Sequence, residues 1–282
     1  NSRYPLYFLI FSAILNIILD LVFVLFFGMG VAGVAYATII SQIISAILIL
    51  FVLSRVDGSY RVIFRDIRPH KEMLKKILTI GFPSALQLSL TSFSNIFVQS
   101  YINSFGSSCM AGWSVYGKID QFALLPMQSL SMASTTFVGQ NLGASNVKRA
   151  KKGINIALLM SLVSTIISLT PVMLFSEQLV YLFNQDAGVI EYGSHFLRLI
   201  SPFYLVVCVN QTYIGSLRGA GDTKAPMAIM LFSFVLFRQI YLFIVSKTIG
   251  TITAVALGYP VGWVLCSILI YLYFRKSHWE RI

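Results

Sequence analysis

Apolar residues along this chain run in long uninterrupted stretches instead of alternating with polar ones. Residues 153–176, 199–217 and 248–274 hold no Asp, Glu, Lys or Arg, and a helix crosses the hydrocarbon core with about 20 apolar residues. Residues 21–54 and 77–117 are also uncharged but too long for one span. Each contains a turn signal, Gly28-Met29-Gly30 in the first and Asn103-Ser104-Phe105-Gly106 in the second, so each reads as helix, turn, helix. The pattern predicts about eight spans, at 5–27, 31–53, 79–102, 112–138, 154–175, 190–214, 225–246 and 252–274. Lipid offers backbone groups no water, and helices of this length satisfy them internally. The expected fold class is an all-α polytopic membrane protein.

Composition agrees: 57% of residues are hydrophobic and 11% charged, against about 25% charged in soluble domains. A large soluble helical protein would need a polar surface that these residues do not supply. The net charge of +11 is distributed by topology. Arg55, Arg61, Arg65, Arg68, Lys71, Lys75 and Lys76 lie between helices two and three. Lys148, Arg149, Lys151 and Lys152 lie between four and five, and Arg218 and Lys224 between six and seven. With Arg3 before the first helix and Arg275, Lys276 and Arg281 after the last, 17 of the 21 basic residues fall on one side. That side is the expected cytoplasmic one, with the C-terminus on it. The opposite loops hold Lys247, Glu177, Asp186 and Glu191. Short scattered basic loops are not a nucleic-acid surface, which needs a basic patch with stacking aromatics. Cys109, Cys208 and Cys266 have neither metal nor disulfide spacing. The chain opens at Asn1 without the pattern of a signal peptide.

The first two helices resemble the last two at an offset of 220 residues, with Gly30-Val-Ala-Gly-Val-Ala-Tyr-Ala-Thr38 opposite Gly250-Thr-Ile-Thr-Ala-Val-Ala-Leu-Gly258. An offset covering six helices implies parallel six-helix repeats, a plan used by secondary transporters. A complete first repeat would need four more helices before Asn1, twelve in all.

Five segments, in order along the chain, carry a resemblance: Asn16-Ile-Ile-Leu-Asp20, Gly33-Val-Ala-Tyr-Ala-Thr38, Gly81-Phe-Pro-Ser84, Val138-Gly-Gln-Asn-Leu-Gly-Ala144 and Leu217-Arg-Gly-Ala-Gly-Asp-Thr223. Together they resemble the multidrug and toxic compound extrusion (MATE) family. The resemblance implies that the chain covers the fifth to twelfth helices of a V-shaped, two-bundle, twelve-helix transporter. Residues 1–54 would be the last two helices of the N-terminal bundle and 55–78 a basic cytoplasmic linker. Residues 79–274 would form the C-terminal six-helix bundle, and 275–282 a cytoplasmic tail. The implied activity is export of organic cations or other amphipathic compounds in exchange for Na+ or H+.

Asp20 is the sharpest candidate for coupling, because a carboxylate inside a span costs roughly 2.5–3.5 kcal/mol on insertion scales and is retained for work. Asn16 lies one turn earlier on the same face. Together they offer oxygens to a hard cation, or a protonatable group with an amide partner; the competing reading is a hydrated Asp near the outer face. The resemblance adds Thr38 on the next helix as a third member and implies an acidic partner on a helix that precedes this chain. Asp20 has no counterpart in the second repeat, where the register lands on Ile240 or Tyr241. Some family members carry acids on the seventh and tenth helices; this chain has Asn95, Gln99, Asn210 and Gln211 there, so no cation site is expected in the second bundle.

Gln87, Thr91, Asn95 and Gln99 recur every four residues as one polar stripe on the third helix. It reads as a cavity lining, with Asn210 and Gln211, or as interhelical hydrogen-bonding glue. Lys118 and Asp120, two apart, point different ways. Arg198 reads as snorkelling; Arg238, at mid-depth, as a structural ion pair or a substrate contact. Tyr204, Tyr213, Phe122, Met127 and Met132 suit a promiscuous pocket for flat cations, or plain packing; Tyr4 and Trp279 read as interface anchors. The 139–144 and 217–223 segments fall on the cytoplasmic side and read as tight helix ends and possible gates, in which Gly139, Gly143, Gly219 and Gly221 permit unusual backbone angles. Neither contains a phosphate loop, so energy is expected from an ion gradient and no cofactor beyond the coupling ion. A lone His195 and the lack of metal clusters or paired carboxylates in the spans point away from a membrane enzyme. A lipid-linked oligosaccharide flippase of the same superfamily is the alternative; it would favour an Arg- and Lys-rich cleft. The expected setting is a bacterial inner (plasma) membrane, with a lipid bilayer and a small amphipathic substrate as partners, a monomeric state, and no bound structural metal.

Overall fold

The computed structural model describes residues 3–56, 58 and 61–281; Asn1 lies outside them, as do the side chains of Arg3, Lys76 and Arg281 from the basic set above. The described chain divides at Met73/Leu74 into two compact units, and no strand occurs among the described residues.

The first unit is a helical hairpin. Helix α1 (Arg3–Leu21) continues through a π-helical turn (Val22–Phe26) and reverses into α2 (Gly30–Arg55). The reversal uses Gly28 and Gly30 at φ +62° and +54°, backbone angles that only glycine adopts without strain. Gly33, Ala37 and Ser41 are the buried positions of α2 and share one face at i, i+4 and i+8. A Cβ at Gly33 would lie 2.9 Å from Phe23 Cβ and 3.0 Å from Met29 Cβ, so the seam requires its absence. Ser12 Oγ donates to the Ser41 carbonyl (2.9 Å) across it. The remaining surface is mostly exposed Ile, Leu, Val and Phe, as a lipid-facing hairpin requires.

The second unit contains α3 (Lys71–Asn103, its first turn preceding the division), α4 (Ser107–Gly143), α5 (Val147–Leu174), α6 (Ser176–Tyr181), α7 (Ala187–Ile200) and α8 (Tyr204–Gly219). It continues with α9 (Lys224–Leu231), α10 (Arg238–Thr248), α11 (Ile252–Ala256) and α12 (Gly258–Lys276). Six stretches of the two units are long and apolar enough to cross a membrane: 4–26, 30–55, 147–174, 187–219, 224–248 and 252–276. Helices α3 and α4, with 33 and 37 residues, exceed the length but carry more polar side chains. The chain is an all-α polytopic membrane protein.

The structure refines two sequence readings. Helix α3 starts at Lys71, eight residues inside the stretch read as the 55–78 linker. A span ends where charge begins, whereas a helix ends where backbone hydrogen bonding ends, and Glu72 in the first turn suits a helix N-terminus. The 190–214 span is broken by a 3₁₀ turn at Ser201–Phe203, where Pro202 has no N–H to continue the ladder. Residues 139–143 close α4 and 217–219 close α8, the tight helix ends read from the sequence. Of the four glycines read there, Gly221 alone takes the expected unusual angle, at φ +92°.

Helix α4 is central, packed on α5, α7 and α8. Its seam with α8 is built from small residues, as close helix approach in lipid demands. A Cβ at Gly219 would fall 2.3 Å from the Thr135 carbonyl oxygen, and one at Gly215 2.5 Å from that of Ser131. Thr135 Oγ1 donates to the Gly215 carbonyl (2.8 Å), Ser131 Oγ to that of Gln211 (2.7 Å), and the Ser134 and Ser216 hydroxyls pair at 3.0 Å. Near the other end of α4, Trp113, Tyr116, Phe196 and Tyr204 form a buried aromatic cluster. Trp279, read as an interface anchor, packs on Phe274 with ring centroids 5.1 Å apart.

Candidate functional site

The hairpin of the first unit brings Asn16 and Thr38 together, with Asp20 one helical turn beyond Asn16. Helical spacing sets Asn16 and Asp20 on one face, and the antiparallel return of α2 places Thr38 opposite. Asn16 Nδ2 lies 3.5 Å from Thr38 Oγ1, whose own proton goes to the Val34 carbonyl (2.9 Å). Asp20 Oδ1 is sealed from solvent without a hydrogen-bond partner among the described residues. A buried carboxylate oxygen without a donor is costly and accepts either a proton or a cation. An amide oxygen and a carboxylate one turn apart, with a hydroxyl against the amide, are oxygen donors of the kind a hard cation takes.

The polar stripe of α3 is divided between several tasks. Gln87 is buried; its Oε1 accepts from Arg218 (3.0 Å) and its Nε2 lies 2.9 Å from Met230 Sδ. Asn95 Oδ1 accepts from Arg238 (2.8 Å) and Tyr259 (3.3 Å). Gln99 turns to Asn103 of its own helix (2.7 Å). The Thr91 hydroxyl and Asn210 Nδ2 are buried without partners among the described residues, and Gln211 meets α4 through its carbonyl. Ser94, outside the stripe, is the hub: its hydroxyl donates to the Phe234 carbonyl (2.8 Å) and accepts from Arg238 and Gln239 (2.7 Å each). The Phe234 carbonyl belongs to a π-helical segment, Phe232–Phe237, where the helix ladder is irregular. Gln87 and Asn95 thus act as interhelical ties.

The intramembrane charges resolve as follows. Arg198 pairs with Glu177 (2.8 Å) and bonds Ser176 Oγ (2.7 Å), so it is partnered where snorkelling was expected. His195 shares a hydrogen bond with Thr253 (2.9 Å). Lys118 stands 5.7 Å from the Phe183 ring. Arg238, 3% exposed, has neutral partners, Ser94, Asn95 and the Tyr259 ring face at 4.8 Å; no carboxylate pairs with it among the described residues. Asp120 accepts from Tyr116 (3.2 Å) and from Tyr204 through a very short bond. Sequence reading noticed Asp120 but passed over Tyr116, one turn earlier on the same helix, and could not reach Tyr204, 84 residues away. Of the aromatic and Met candidates, Tyr204 and Met127 are core, while Phe122 and Met132 are exposed. The spacing Gly112-x-x-x-x-Gly117-Lys118 lies in continuous α4 helix, without the loop that a phosphate cradle needs.

Comparison with known proteins places this geometry. The MatE family model matches residues 83–244. The chain is 28% identical over 283 residues to the probable multidrug resistance protein YpnP of Bacillus subtilis, covering 100% of this chain and 63% of that one. It is 27% identical to the probable multidrug resistance protein NorM of Thermotoga maritima, covering 100% and 61%. A MATE crystal structure in the bent conformation superposes with a TM-score of 0.87 at 23% identity, over 97% of this chain and 61% of that one. The chain thus spans about three fifths of the length of these relatives. With more than half of its residues matched by the family model and its helices superposing on a solved member, this chain belongs to the MatE family.

Proposed function

We propose that this chain is part of a secondary active exporter of organic cations and other amphipathic drugs, working as a monomer in a bacterial plasma membrane with its C-terminus cytoplasmic. The observation that carries the reading is Asp20 Oδ1, sealed and without a partner among the described residues, one turn from the Asn16 that meets Thr38. An intramembrane carboxylate without a donor is stabilised by Na+ or H+ from the side of higher concentration. Substrate stabilises the opposite-facing state, and the two equilibria exchange one for the other. The relatives named multidrug resistance proteins support the substrate class. A flippase reading would need several free intramembrane cations for pyrophosphate; Arg198 and Arg238 are already engaged, which leaves Lys118.

In vesicles carrying the transporter that contains this chain, Asp20→Asn is expected to lower gradient-driven efflux of a fluorescent organic cation by about tenfold or more, the loss of roughly 1.4 kcal/mol or more of coupling. Asp20→Glu is expected to restore part of it. Undiminished driven efflux in Asp20→Asn sinks the reading. An imposed Na+ gradient without a pH gradient, then the reverse, identifies the ion.

A further inference from the structure

The end of the second unit that carries the basic start of α5 holds a cavity of about 380 Å³, inside the range of about 300–1,000 Å³ typical of small-molecule sites. Helices α5 and α12 both pack on α8, and all three line it: Lys151 from α5, Tyr213 from α8, Tyr271 and Arg275 from α12. The chain leaves α12 at Ser277 in extended backbone and folds Trp279 onto Phe274, ring centroids 5.1 Å apart. Glu280 then meets Lys151 at 2.6 Å, which straps this segment to α5. Tyr213 lies 4.7 Å from Phe274 and 5.7 Å from Tyr271, ring to ring, so aromatic side chains form much of the wall.

The charges in this cavity do not cancel. Lys151 is paired with Glu280, whereas Arg275 has no ion pair among the described residues. The Tyr213 and Tyr271 hydroxyls have no hydrogen-bond partner among them either. A free guanidinium with two free hydroxyls suits a phosphate, which offers several acceptor oxygens and takes Arg in a fork. The apolar side of the ligand is set by α12. Ile268, Tyr271 and Arg275 follow at i, i+3 and i+7 on one helix face, and Ile268 and Tyr271 are exposed. From the cationic end, that face runs back along the membrane span as apolar surface. A ligand that uses both parts is amphipathic, with a phosphate head and a hydrocarbon chain. Basic pockets at the ends of membrane helices hold anionic lipid heads, and Tyr and Trp favour the same depth. A nucleotide or inorganic phosphate would use the head site and leave the Ile268–Tyr271 face bare.

We propose that this cavity binds an anionic glycerophospholipid of the bilayer, its phosphate on Arg275 and the two tyrosine hydroxyls and one chain along the Ile268–Tyr271 face. Glu280 lines the same cavity and opposes the phosphate by like charge. The site lies apart from the Asp20 hairpin and does not depend on the export reading. The test is calorimetric titration of dioctanoyl phosphatidylglycerol into the full chain in a non-ionic detergent. Arg275→Gln is expected to weaken binding about five- to tenfold, the effect of one cation at a membrane surface. Glu280→Gln is expected to tighten it about threefold by removing the competing carboxylate. Were Glu280 merely structural, losing its 2.6 Å pair with Lys151 would weaken binding instead. Lys247→Gln, an exposed cation of α10 outside the cavity, should leave the affinity unchanged. Dioctanoyl phosphatidylcholine, with the same chains and a cationic choline, should bind about tenfold more weakly. Parent-like affinity in Arg275→Gln overturns the proposal, as does equal binding of the two lipids. Glycerol 3-phosphate or ATP binding as tightly as phosphatidylglycerol, with the same loss in Arg275→Gln, overturns the lipid assignment in favour of a soluble phosphate. Should Arg275→Gln fail to fold, Glu280→Gln decides, and unchanged or weaker binding there overturns the proposal equally.

Discussion

Gly219→Ala is expected to lower the thermal midpoint of the purified chain by roughly 5–10 °C, the equivalent of about 2–3 kcal/mol for overpacking a closed seam. The added methyl would sit 2.3 Å from the Thr135 carbonyl oxygen and 3.1 Å from the Thr135 Cα and carbonyl carbon. Those are backbone atoms of a long helix, so no rotamer change relieves the contact and α8 must move away from α4. Moving it lengthens the Thr135–Gly215 and Ser134–Ser216 hydrogen bonds on the same seam, which in lipid have no water to replace them. Gly117→Ala is the control. It lies on α4 with nothing within 4 Å of its would-be Cβ, and replacing helical glycine by alanine there should be neutral or stabilising by up to about 1 kcal/mol. Equal midpoints for Gly219→Ala and Gly117→Ala would refute the packing argument.

The second large effect is expected at Tyr204. Its ring is 1% exposed, it opens α8 directly after the Pro202 break, and its hydroxyl reaches Asp120 on α4. Tyr204→Ala removes both contributions and should cost about 3–5 kcal/mol, the range for deleting a buried aromatic ring. Tyr204→Phe keeps the ring and removes one hydrogen bond to a charged acceptor, which should cost about 1.5–3 kcal/mol. Denaturation midpoints of the two variants separate the terms: the ring dominates if Phe recovers at least half of the loss. Should Phe prove as damaging as Ala, the hydrogen bond to Asp120 carries the stability, and the aromatic cluster contributes less than its burial implies.

Much of the fold was legible in the residues because membrane insertion is a local property. Whether a stretch such as 153–176 can sit in lipid depends on its own composition, and the side on which Lys148 to Lys152 fall depends on charge counted near span ends. The turn at Gly28-Met29-Gly30 was visible for the same reason. The pairing of Asn16 with Asp20 followed from one helical turn, and Thr38 followed from resemblance; a short hairpin connection makes such residues neighbours almost automatically. The linker boundary was misplaced, since Lys71 to Lys76 end a membrane span without ending a helix.

Other features belong to no single segment. Gly139 and Gly219 read as parts of tight helix ends, but not as a packing seam, and a Cβ at Gly139 would meet the Gly219 carbonyl at 3.1 Å. The Gly215-x-x-x-Gly219 spacing is the signal that this reading passed over. The polar stripe of α3 was one face in sequence, but its neighbours turned Gln87 and Asn95 into interhelical ties and left Gln99 on its own helix. Composition and period thus determined, from the sequence alone, that the chain crosses a membrane and that one carboxylate, Asp20, falls within a predicted span. Only the tertiary structure decided that Asp120 shares one oxygen with two phenols, and that Arg238 has no carboxylate partner among the described residues. Those outcomes depend on helices separated by up to about 140 residues, and sequence spacing constrains neighbours only within a turn or two.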